Sequence, residues 1–211
     1  MKKITACCSI MVLSAVAMPA FAQDQGLYDP LPPEGSAFVR FVSESPENGS
    51  KQAKANDKGY DYLNFKQVSS YYVIPKGAVK AAIGSAAKDF NAESGKFYTV
   101  VLNESGALEV KDDPKNENEA KSQIVFYNLT DKPDLSLKTA DGKVEIVPPL
   151  SAGAVGDKQI NPVKVSIAIF DGDTKLKDLG PVSLERGASY SAIAMNDKDV
   201  EWVQASTNTT R

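Results

Sequence analysis

Apolar positions along this chain fall in short runs rich in β-branched and aromatic residues, separated by Gly, Pro, Asn and Asp. The first half holds four such runs, at 37–42 (AFVRFV), 71–74 (YYVI), 78–83 (AVKAAI) and 97–102 (FYTVVL). Each has the length of a strand, and no long stretch carries the 3.6-residue apolar stripe of an amphipathic helix. The pattern predicts an all-β fold.

Residues 111–119 (KDDPKNENE) break the pattern with charged and amide side chains, one proline and no apolar group. A segment of that kind predicts a short charged linker between domains. Beyond it the second half repeats the first. Residues 123–128 (QIVFYN) stand where 38–42 stood, and 165–169 (VSIAI) where 79–83 stood. Gly187-Ala188-Ser189-Tyr190 opens a strand as Gly95-Lys96-Phe97-Tyr98 does, and each half closes on a hairpin arm, at 108–110 and 200–203. The same segments in the same order predict two tandem β-sandwiches, Ig-like or jelly-roll-like, at 23–110 and 120–211.

Turn chemistry supports the strand count. Ala140-Asp141-Gly142-Lys143 lies between two strand-like runs and predicts a hairpin of type I′, because Gly, and less readily Asp, takes positive φ. Asp171-Gly172-Asp173 reads in the same way. It is not a calcium loop: Lys175 stands where a third oxygen ligand is needed, and the distal glutamate position is Val182.

The first residues change the compartment. Lys2 and Lys3 precede an apolar segment at 6–18, and Ala20-Phe21-Ala22 offers the small residues a signal peptidase reads, so 1–22 is expected to be a cleaved export signal. It is short for a lasting membrane anchor, and Cys7 and Cys8 sit at the start of its apolar core, where no lipoprotein cysteine belongs. The expected location is the periplasm. Without the leader, 22 basic residues face 27 acidic ones, and the formal charge moves from −3 to −5. That balance excludes nucleic acid as a partner. The chain holds no histidine, and both cysteines lie in the leader, so the mature protein lacks imidazole and thiol. Ser-His-Asp and Cys-His machinery, thiolate redox chemistry and ordinary zinc sites are excluded. No catalytic residue, metal site or cofactor is expected.

Five runs together carry a family resemblance: Gly26-Leu27-Tyr28-x-Pro30, Gly35-Ser36-Ala37-Phe38-Val39-Arg40, residues 137–143 (LKTADGK), Ile160-Asn161-Pro162-Val163-Lys164-Val165 and Leu184-Glu185-Arg186-Gly187. In that order they make the chain resemble the AlgF family of periplasmic alginate O-acetylation proteins. The match is poor between residues 43 and 70. The resemblance implies a non-catalytic accessory or scaffold protein. Its partners would be a membrane-bound acyltransferase that supplies acetyl groups and the periplasmic alginate O-acetyltransferases that use them, with alginate itself as a further candidate. Alternative roles are a polysaccharide-binding module and a transient acetyl carrier.

A carrier needs an activated hydroxyl. Ser36 is the best placed, entering the strand at Ala37 with Arg40 at an even offset on the same side, but no base is visible and the plainer reading is a turn serine. For partner recognition the candidates are Tyr28, Ser36, Arg40, Asn161 and Arg186; a guanidinium can pair with a partner carboxylate in two hydrogen bonds. Pro162 restricts Asn161 to extended or turn geometry, so residues 158–162 should form a fixed approach into the strand beginning at Val163. Trp202, the lone tryptophan, is the candidate for sugar stacking, although its neighbours alternate as in a terminal sandwich strand. A net charge of −5 opposes a polyanion at long range and ranks protein partners above the polymer.

Overall fold

The computed structural model describes residues 31–46, 49–195 and 199–208; residues 1–22, expected to be an export signal, and Tyr28 lie outside the described residues. Seventeen strands and no helix are found among them. The first half supplies β1 (Ser36–Ser43), β2 (Lys51–Ala55), β3 (Lys58–Leu63), β4 (Tyr71–Pro75), β5 (Gly77–Ile83), β6 (Ala86–Ala92), β7 (Phe97–Leu102) and β8 (Leu108–Asp113). The second supplies β9 (Ser122–Asn128), β10 (Leu135–Thr139), β11 (Glu145–Leu150), β12 (Val155–Ile160), β13 (Lys164–Asp171), β14 (Thr174–Ser183), β15 (Ser189–Ala194) and β16 (Val200–Gln204), followed by the short β17 (Thr207–Asn208).

The repeat seen in the sequence is a repeat of topology. Sheet order β4-β1-β7-β8 recurs as β12-β9-β15-β16, and β3-β2-β5-β6 recurs as β11-β10-β13-β14. Both halves contain the same parallel pair, β1 with β7 and β9 with β15, flanked by antiparallel pairs with β4 and β8 in the first half and with β12 and β16 in the second. Each half closes as a sandwich on its own core: one cluster holds Val39, Phe41, Ile83, Tyr98 and Val100, the other Phe126, Leu137, Ile169, Tyr190 and Ala192.

The strand alternation shows how the halves meet. Val39 and Phe41 of β1, and Tyr98 and Val100 of β7, point into the first core. Their neighbours Val42 and Val101 point the other way and join Val125, Tyr127, Ile193 and Met195 of the second half in a third apolar cluster. The sheets containing β1 and β9 are therefore covered on both faces, and β1 and β9 have no exposed residue. That double cover explains why these segments read as continuous rather than alternating apolar runs. The molecule is a four-layer stack of sheets with the two domains joined face to face.

Two details differ from the sequence reading. Strand β8 runs through Asp113 in register with Phe97, so Lys111, Asp112 and Asp113 belong to the first sandwich, and the connection to β9 begins at Pro114. The chain then comes back: Thr207 and Asn208 pair in parallel with Tyr71 and Tyr72 of β4, adding a strand from the end of the second half to the first domain's sheet. Both expected hairpins form, but not as type I′. Asp141 does not share the positive φ of Gly142 (+73°), and the loop is longer, closed by Thr139 N–H donating to the Val144 carbonyl at 2.9 Å. The Asp171–Thr174 pair closes a two-residue turn in which Gly172 alone has positive φ (+57°), as in a type II′ turn.

Candidate functional site

A polar cluster sits inside the apolar seam between the domains, and Arg40 is its centre. Arg40 lies on β1 facing the second domain and is 1% exposed, so it is not the surface guanidinium expected from the sequence. Its Nε donates to Thr99 Oγ1 at 2.9 Å, while Nη2 donates to Tyr127 OH at 2.8 Å and to Ser191 Oγ at 2.9 Å. Thr99 is the parallel-strand partner of Arg40, and Tyr127 and Ser191 come from β9 and β15 of the other domain. The guanidinium also lies over the rings of Tyr71 and Tyr127, 4.7 and 5.2 Å from their centroids.

Asp113 completes the cluster. Its Oδ2 accepts from Thr99 Oγ1 at 2.5 Å and Tyr71 OH at 2.7 Å, and its Oδ1 accepts from Tyr127 OH at 2.6 Å. Cation and carboxylate are thus linked through hydroxyl groups that donate to one and accept from the other. Burial works to lower the Arg40 pKa, but Tyr127, Tyr71 and Asp113 outweigh it and hold the guanidinium above its ordinary value. Burial pushes the Tyr71 and Tyr127 phenols upward against the opposing pull of Arg40, so both remain neutral donors. Arg40 therefore ties the two domains together, with its Nε and Nη2 donors committed inside the seam and its side chain buried away from any external carboxylate.

The other candidates are dispersed. Ser36 donates its Oγ to the Pro33 carbonyl at 2.7 Å, which is the turn role, and no carboxylate or amine accepts from it. Its even offset from Arg40 does not bring the two into contact. Asn161 is exposed and accepts from Lys121 Nζ at 2.7 Å; the Lys121 carbonyl in turn accepts from Gly187 N–H at 2.8 Å, next to exposed Arg186. Asn161 and Arg186 therefore gather around the end of the interdomain connection, on the second domain. Trp202 is half-buried and stacks on Tyr190 with centroids 5.5 Å apart, which makes it a wall of the second core rather than a sugar platform.

The seam opens at both ends. At the connection end, a cavity of about 240 Å³ is bounded by Tyr71, Phe97, Pro114, Asn116 and Ser191. At the other end a wider cavity of about 800 Å³ is bounded by Glu44, Glu104, Glu109, Asp131 and Asp199 among others. Asp113, Tyr127, Thr99 and Glu44 were not singled out from the sequence. For Thr99 and Tyr127 the available signal was a polar group at a position facing away from a core, in a strand that is otherwise apolar on both faces.

A family model described as "Alginate O-acetyl transferase AlgF" matches residues 10–191, across both repeats. The alginate biosynthesis protein AlgF of Pseudomonas syringae pv. tomato is 38% identical over 187 residues, which is 88% of this chain and 83% of that protein. Its counterpart from Pseudomonas fluorescens is 39% identical over 175 residues, covering 83% and 79%. Among solved structures, the C-terminal domain of AlgF from P. aeruginosa is 39% identical, covering 41% of this chain and 97% of that one with a TM-score of 0.35.

Proposed function

Because the chain belongs to the AlgF family, we propose that it is an exported, non-catalytic accessory protein of alginate O-acetylation, connecting the membrane-bound acyltransferase that supplies acetyl groups to the periplasmic acetyltransferases that use them. The observation that carries this reading is the family match across both repeats, in a chain without histidine. An acyl-transfer enzyme of the Ser-His-Asp kind needs an imidazole to take the hydroxyl proton. The hydroxyl best placed in the sequence, Ser36, is committed to a backbone carbonyl. Thr99 has a carboxylate beside it in Asp113, but it is fully buried within the seam. Export agrees with the basic and apolar character of residues 1–22.

Two rigidly joined sandwiches suit a scaffold, since they present surfaces of fixed spacing to more than one partner. The test is deletion of the gene in an alginate-producing strain. The expected result is unacetylated alginate made in normal amount. Acetylated polymer from the deletion strain overturns the assignment. Intact-mass analysis of the protein from cells with and without the membrane acyltransferase tests the carrier alternative, for which a 42-Da acetyl adduct (roughly the mass of one acetyl replacing a proton) would be the mark.

A further inference from the structure

We propose that the wide cavity at the Glu44 end of the domain seam is a docking site for a lysine or arginine side chain carried by a segment of a protein partner; this rests on the scaffold reading above. The first observation is Glu44 itself. It is 3% exposed, it lines the cavity, and its Oε1 has no hydrogen-bond partner among the described residues. A buried carboxyl oxygen left unpaired carries a desolvation cost that nothing in the described chain offsets, and a donor arriving through the cavity would satisfy it.

The second observation is the charge around it. Glu104 and Glu109 of the first domain, and Asp131 and Asp199 of the second, line the same cavity. Two of these acids already have cations: Lys111 Nζ lies 2.7 Å from Glu109 Oε2 and also donates to the Gly153 carbonyl, and Lys66 Nζ lies 2.6 Å from Asp199 Oδ1. Glu104 and Asp131 are exposed and form no ion pair among the described residues. Acids from both domains around a low-dielectric recess focus a negative potential on its mouth.

The chemistry of the ligand follows by comparison. A polyuronate is repelled by these walls. Among the described residues no group of three or more His, Cys, Asp or Glu side chains is placed to hold a metal ion. An ammonium or guanidinium on a long side chain has the charge, the donors and the reach for an interior carboxyl. Since the walls belong to both domains, the site exists only while the Arg40 cluster holds them together.

Burial, assisted by Glu104 and Glu109 and opposed by Lys111, pushes the Glu44 carboxyl up to about 8. A bound cation therefore gains affinity as Glu44 ionises.

The test uses the whole chain and a penta-arginine peptide followed by amide chemical shifts. The expected shifts are confined to residues 103–105, 129–131 and the neighbourhoods of Glu44 and Met195. Affinity should fall at least tenfold in the Glu104→Lys, Asp131→Lys double variant, whose substituted positions are both exposed. Affinity in the parent should rise between pH 6 and pH 8.5, and this rise should be flattened in Glu44→Gln. Shifts elsewhere, an unchanged affinity in the double variant, or the same residues responding equally to calcium chloride overturn the proposal. In cells, the double variant should reduce alginate acetylation. Full acetylation with this variant sinks the docking site while the scaffold role stands; full acetylation in the deletion strain sinks the scaffold role itself.

Discussion

Arg40 of the first domain donates to the Tyr127 hydroxyl of the second at 2.8 Å, and the same hydroxyl donates to Asp113 of the first at 2.6 Å. One phenol oxygen from β9 is thus held between a cation on β1 and a carboxylate on β8. Neither domain can turn about the seam without breaking both bonds, so their relative position is set by charge-assisted hydrogen bonds as well as by the apolar cluster of Val42, Val101, Val125 and Ile193.

Removing the guanidinium should be severe. Arg40→Ala leaves Asp113 buried without its nearby cation and opens a void in the seam, with an expected loss of about 3–5 kcal/mol in urea-unfolding free energy. Arg40→Glu should not fold, because it sets a second carboxylate against Asp113. Tyr127→Phe keeps the packing and should lose less, about 1–2 kcal/mol. An unfolding midpoint for Arg40→Ala equal to that of the parent contradicts the locking role.

Tyr98 and Tyr190 occupy one structural position in two copies. The Tyr98 hydroxyl accepts the Glu93 backbone N–H at 2.9 Å, and the Tyr190 hydroxyl accepts that of Glu185 at 3.2 Å. Between donor and tyrosine each copy has a glycine at positive φ, Gly95 at +75° and Gly187 at +74°. Tyr98→Phe and Tyr190→Phe should each lose about 1 kcal/mol, the ordinary cost of leaving one such donor unpaired. Lying in separate cores, the two losses should add in the double variant. A strongly non-additive result in urea melts would show that the two cores unfold as interdependent units.

The same pair of motifs explains what the sequence made legible. A Gly-x-x-Tyr start is local: the glycine, the tyrosine and the donor lie within six residues, so repeat and strand order could be read without knowing the fold. The seam is the opposite case. Arg40 reaches Thr99 and Tyr127 across 59 and 87 residues of sequence, and a strand arginine whose partners are that distant looks like one facing solvent. Asp113 was hidden for a related reason. Its strand faces the polar cluster, so KDD carries no apolar signal and reads as linker although it is paired in register with β7. Glu44 gave no sign at all, since its burial comes from the second domain and the loops around it.

Glu44 makes stability depend on pH in a defined direction. Its carboxyl titrates near 8 in the folded chain and near its ordinary value of 4.5 when unfolded. Below that range both states are protonated and Glu44 contributes nothing. Between roughly pH 4.5 and pH 8 the unfolded chain loses the proton that the folded chain keeps, so stability declines as pH rises and levels off above 8. Glu44→Gln removes this decline. The variant should therefore gain on the parent as pH increases, by on the order of 2 kcal/mol at pH 8.5 after allowance for water in the open cavity. Urea melts at pH 4.5, 6.5 and 8.5 measure it, and a gap that does not widen with pH would mean that Glu44 is ionised throughout.

Cutting the connection tests how far the two sandwiches are independent. Domains joined only by a linker would separate as two folded fragments after proteolysis within 111–119. Three features now oppose release: the apolar cluster across the seam, the Arg40 bonds to Tyr127 and Ser191, and the pairing of Thr207 and Asn208 with β4. The last of these ties the end of the second half to the first domain, so a cut before β9 leaves the halves still sharing a sheet. A site-specific protease sequence inserted after Glu117, which is exposed, should be cut readily. The nicked protein should nevertheless elute from a sizing column as one particle at micromolar concentration. Removing residues 206–211 from the nicked protein should weaken the association, and adding Arg40→Ala should abolish it, with two separate peaks as the readout. Immediate separation of the halves after the cut alone would show that the seam holds only by tethering, and the rigid two-domain scaffold would fail with it.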